Sequence, residues 1–116
     1  MEIKMEINGK KIGLYYSIGA DCDIDDEMEK VGCPTWPAFL ERLGPVKAYI
    51  KVATILNKWY CLKNGGDPVS EKDLFLLPAG QLETIWPDVD KAMAEGRRNE
   101  IKAKPVKGKN AESAVE

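Results

Sequence analysis

Charged and apolar residues alternate strictly at the start of the chain. Ile3, Met5 and Ile7 are interleaved with Glu2, Lys4 and Glu6, and Ile12, Leu14 and Tyr16 with Lys11, Gly13 and Tyr15. Between the two runs stands Asn8-Gly9, the preferred pair for a type I′ turn, in which both central residues take positive φ. The pattern predicts a β-hairpin with Ile7 opposite Lys10, Met5 opposite Ile12, Ile3 opposite Leu14 and Glu6 opposite Lys11. A lone hairpin is marginal in water, so its apolar face needs a helical cover.

The spacing then turns helical. Residues 17–31 read as a short helix with Ile18, Cys22, Met28 and Val31 as its apolar positions, starting near Ser17 or restarting near Asp23, and Gly32 as its stop. Thr35 caps a second short helix, with Pro37 in its first turn, Phe39, Leu40 and Leu43 as apolar positions and Gly44 at its end. Pro45 opens the longest segment, Pro45 to Leu62, whose polar residues Lys47, Lys51, Thr54 and Lys58 form one narrow stripe. A helix apolar over about three quarters of its circumference needs neighbours on several sides. It is either the central helix of a small fold or part of an interface. Beyond Asn64-Gly65-Gly66, Ser70 caps a short segment through Leu74 to Leu77, with Asp73 as its capping-box partner. A last helix from about Ala79 to Glu95 carries Leu82, Ile85, Trp86, Val89, Ala92 and Met93, is broken or kinked at Pro87, and ends at Gly96. The fold expected is α+β, mainly helical: an N-terminal β-hairpin packed on a small helical bundle around a central helix, about 45–62. Residues 1–95 form one globular domain and 96–116 a disordered tail.

Composition narrows the function classes. The 116 residues suit one domain with a single core, and no apolar run approaches the roughly 18 residues of a membrane span. Nor does the N-terminus show a secretory signal, so a cytoplasmic location is expected. Histidine is absent, which removes the commonest general base and transition-metal ligand. Cys22, Cys33 and Cys61 include no CxxC pair and read as small buried apolar residues. The formal charge of −2 hides an asymmetry, since residues 97–116 carry six basic and three acidic side chains.

Three groups of residues are candidates for chemistry or binding. Asp21, Asp23 and Asp25 match the first ligand positions of a calcium loop, but Asp26 stands where that loop needs glycine and Gly32 where it needs glutamate. The acidic run therefore reads as a solvated or partner-facing surface, with Asp21, Asp25 and Glu29 on one exposed face. No catalytic residue, metal ligand or cofactor site is identified. Lys47, Lys51 and Lys58 offer phosphate contacts to a nucleic acid, against an acidic body that disfavours one. Trp36 and Trp86, each followed by proline, and Tyr49 and Trp59 on the central helix are either core plugs or anchors for a protein partner.

Taken in order, the INGKK turn, YYSIGADCDIDDEMEK, the long helix VKAYIKVATILNKWY and GGDPVSEKDLFLLPAGQLETIWPDVDKAM resemble the tail assembly chaperones of long-tailed bacteriophages and prophages, over roughly residues 1–95. The resemblance implies a non-enzymatic helper in the bacterial host cytoplasm. It would bind the helical, aggregation-prone tape-measure protein and help recruit tail-tube subunits. That family contributes no catalytic residue. On this reading Tyr49, Trp59, Trp86 and neighbouring aliphatics anchor the partner in a helix-in-groove mode, and a homo-oligomer is one form the assembly takes. The alternative is a small nucleic-acid-binding regulator using the lysine stripe and basic tail.

Overall fold

The computed structural model describes residues 2–7 and 9–103, with side chains through Gly96. Strands β1 (Glu2–Ile7) and β2 (Lys10–Tyr15) form a two-stranded antiparallel sheet in the expected register, Ile7 opposite Lys10 through Glu2 opposite Tyr15. Gly9 takes φ 77°, as the expected turn requires. Asn8, and residues 104–116 with most of the expected tail, lie outside the described residues. Alternation puts Met5, Ile7, Ile12 and Leu14 on the buried face.

Among the described residues five helices follow: α1 (Ile18–Lys30), α2 (Trp36–Leu43), α3 (Pro45–Asn64), α4 (Glu71–Phe75) and α5 (Leu82–Ala103), the last preceded by a 3-10 turn at Ala79–Gln81. The architecture is α+β and mainly helical. Each short helix starts where a side-chain oxygen meets a free main-chain N–H. Ala20 N donates to Ser17 Oγ (3.0 Å), Ala38 N to Thr35 Oγ1 (3.3 Å), and Ser70 with Asp73 completes a reciprocal capping box. α1 does not restart at Asp23, and its buried face differs from the expected one. Ala20, Ile24 and Met28, spaced i, i+4, i+8, point inward, whereas Ile18 is 84% exposed and Cys22 is exposed.

α5 also departs from expectation. It passes through Pro87 unbroken, although proline removes one N–H from the ladder. It also continues past Gly96 to Ala103. Gly96 is there for space: a Cβ at this position would lie 2.6 Å from Tyr16 Cβ, an atom close to the main chain that cannot swing aside. Glycine's low helix propensity is accepted in return for close approach of α5 to the end of β2.

One core joins the sheet to α3 and α5, with Phe39, Ile50, Val52, Leu56, Leu74, Ile85 and Val89 among its members. α3 runs along β2, and its one buried polar side chain, Asn57, binds the outer edge of that strand. Asn57 Nδ2 donates to Gly13 O (2.9 Å), while Asn57 Oδ1 accepts from Val69 N (2.8 Å) in the segment leading to α4. Tyr60, one turn on, lies where a side chain at Gly13 would project. Asn57→Ala should cost about 2–3 kcal/mol in urea denaturation, because Gly13 O loses a buried bond and Val69 N a partly buried one. Gly13→Ala should also destabilise, since the Tyr60 ring must leave its seat. Stability within about 0.5 kcal/mol of wild type for both variants would contradict this account of the α3–β2 junction.

Candidate functional site

The lysine stripe of α3 faces the acidic side of α1. The two helices run antiparallel, so acids four apart on α1 meet lysines seven apart on α3. Lys58 Nζ lies 2.6 Å from Asp23 Oδ2, and Lys51 Nζ lies 3.3 Å from Glu27 Oε1 and 3.2 Å from Glu71 Oε2 on α4. Trp59 Nε1 donates to the same Asp23 oxygen at 2.8 Å, and its ring occupies the space left by Gly19 on α1. Hydrogen bonds from Lys58 and Trp59 hold the Asp23 carboxyl below its usual value. For Glu27, burial pushes upward, but Lys30 and Lys51 outweigh it and leave the carboxyl lowered. Burial likewise works against the Lys51 ammonium, and Glu71 and Glu27 reverse its effect, so the lysine is raised. Among the described residues, no group of three or more potential ligands is placed to hold a metal ion.

On the opposite side of α3, Tyr49 joins Trp36, Phe39 and Trp86 in one aromatic cluster. Ring centroids lie 5.7 Å apart for Trp36–Tyr49, edge to face, and 6.0 Å for Tyr49–Trp86. Tyr49 OH donates to Asp90 on α5 at 2.6 Å, and burial together with that bond pushes the phenol up to about 12. The Trp86 indole N–H is buried with no hydrogen-bond partner among the described residues. Trp36, Tyr49 and Trp86 thus come together and fasten α2, α3 and α5. Trp59 sits apart from them at the α1 seam. Of the lysines, Lys51 and Lys58 are engaged within the monomer and Lys47 is exposed.

Large apolar side chains are exposed elsewhere: Ile18 at the start of α1, Leu62 near the end of α3, and a group beside α4. Val46, Ile50, Leu74, Phe75, Leu77, Pro78, Leu82 and Ile85 line a groove of about 160 Å³ between the start of α3, α4 and the start of α5. Phe75 is 49% exposed and Val46 38%, and adjoining Leu76 is 74% exposed. Three large apolar residues exposed around one groove are the kind of patch that marks an interaction surface. The sequence carried a signal for it. Leu74-Phe75-Leu76-Leu77 places four large apolar residues in succession across the end of a helix of barely one turn and the bend after it, a segment too short to bury them all.

Asp23→Asn should lower stability at pH 7 by about 1–2 kcal/mol, since the bonds from Lys58 and Trp59 lose their anionic acceptor. Because the folded-state pKa is depressed, this advantage is complete above the ordinary value of 3.8 and shrinks as pH falls below it. Urea titrations of both proteins at neutral and at acidic pH measure the gap. A gap of the same size at both would contradict the assignment.

Comparison with family models, curated proteins and solved structures finds no match to this chain.

Proposed function

We propose that this protein is a non-enzymatic phage tail assembly chaperone. It binds the tape-measure protein in the host cytoplasm and helps recruit tail-tube subunits. The resemblance in the order of elements supports the reading, from the INGKK hairpin through the long apolar helix to the last helix. The observation that carries it is the groove bordered by Val46, Phe75 and Leu76. A partner helix presenting an apolar stripe would lay one or two large side chains into that groove and cover Phe75 and Leu76, a helix-in-groove contact. Phe75 and Leu76 replace Tyr49, Trp59 and Trp86 as the proposed anchors, because those three side chains already pack inside the monomer.

A nucleic-acid-binding role has less support. Lys51 and Lys58 are each paired with a carboxylate, so phosphate would have to displace an existing partner.

Co-expression with a tape-measure fragment tests the proposal. The fragment should become soluble and co-purify with the wild-type chain. Phe75→Glu combined with Leu76→Glu should weaken capture at least about tenfold, as loss of anchor residues does. The thermal midpoint should change little, because both positions are exposed. A fragment whose solubility does not respond to the wild-type chain would contradict the chaperone role, and capture undiminished in the double variant would contradict the groove.

A further inference from the structure

A helix packs on each strand of the hairpin, α3 on β2 and α5 on β1, but the main-chain groups of the two edges are bonded differently. Along β2, α3 takes the place of a third strand, with Asn57 bonded to Gly13 O and Tyr60 over Gly13. That bond also fixes the parity of the sheet. Gly13 directs its carbonyl away from β1, so the Lys4–Gly13 pair is one of the non-hydrogen-bonded pairs of the ladder, as the two-residue turn also requires. Lys4 therefore directs its N–H and C=O to the far side of β1, and Glu2 and Glu6 share its parity. Among the described residues, nothing bonds these outward main-chain groups, and neither the Lys4 nor the Glu6 side chain is in an ion pair. Both side chains are exposed, while Met5 between them is buried against the core.

We propose that the free edge of β1 pairs with β1 of a second copy, antiparallel about a two-fold axis at Met5, giving a four-stranded sheet across the dimer. Charge selects both the occupant and the register. With Met5 opposite its own copy, Lys4 of each chain faces Glu6 of the other, and both are hydrogen-bonded pairs, providing about four main-chain bonds and two ion pairs. Pairing centred on Lys4 sets Lys4 against Lys4 and Glu2 against Glu6, with like charges opposed. Pairing centred on Ile3 would draw on Glu2, which already holds Lys63 (3.0 Å) and Asn64 (3.2 Å). An isologous contact needs a self-complementary surface, and the Glu-Lys-Glu order along β1 supplies one. An interface this small is weak and concentration-dependent. The proposal does not depend on the chaperone reading.

Sedimentation velocity on the purified chain, from about 1 µM to about 1 mM, covers the affinity range of weak pairs. The wild type should shift from monomer to dimer within it. Lys4→Glu, which opposes two glutamates across the axis, should weaken the dimer at least about tenfold. The double variant Lys4→Glu/Glu6→Lys, in which the charges are exchanged and complementarity returns, should recover it. Unfolding midpoints of the variants establish that the fold is intact. A wild type that stays monomeric throughout overturns the proposal and leaves the edge to an extended segment of another protein. A dimer indifferent to Lys4→Glu overturns it equally, by placing the contact on another surface.

Discussion

The amide of Asn57 is the interaction on which the arrangement of this protein turns. One side chain on α3 bonds the edge of β2 through Gly13 and the segment ahead of α4 through Val69, joining parts of the chain that are 44 and 12 residues away in sequence. Its donor and its acceptor are both used at a site only 4% exposed, where an unpaired amide would be costly. An apolar residue of similar size would fill the space and leave Gly13 O and Val69 N unbonded. The bond also requires α3 to approach β2 closely. That approach is possible because Gly13 has no side chain and Tyr60 occupies the space.

With α3 fixed along the sheet, its remaining faces acquire distinct neighbours. Lys51 and Lys58 meet the acids of α1, Tyr49 meets the aromatics of α2 and α5, and Ala48, Val52, Ala53 and Leu56 enter the core. The ion pairs at the α1 seam are half-exposed and each contributes little. Their value is positional. Two pairs, with acids four apart on α1 and lysines seven apart on α3, set the register of α1 on α3, and Trp59 beside them bonds the same Asp23 oxygen as Lys58. A helix apolar over most of its circumference is thus largely covered inside one chain, with Val46 and Leu62 near its two ends left exposed, and Val46 joins the exposed apolar residues at the groove beside α4.

Local chemistry was readable in the residues. Asn8-Gly9 between two alternating runs specified the hairpin pairing residue by residue, and Ser17, Thr35 and Ser70 marked helix starts because a cap depends on atoms only three residues away. Features set by distant contacts were not readable. Gly96 has the appearance of a helix stop until Tyr16 is placed against it. In α1, Ile18 and Cys22 outweigh Ala20 by hydrophobicity, yet packing selected Ala20, Ile24 and Met28, since a small residue admits α1 to the core. The lysine stripe had the outline of a binding surface because its partners, Asp23 and Glu27, lie roughly 25–35 residues earlier in the chain.

α3 is thus mainly an internal scaffold, and the groove beside α4 is the surface proposed for a partner. Amide hydrogen exchange of the chain, alone and with a bound tape-measure fragment, separates these roles most directly. Binding at the groove should slow exchange in residues 71–82 and leave residues 57–63 of α3 unchanged. Protection concentrated in residues 57–63, with residues 71–82 exchanging as in the free chain, would contradict it.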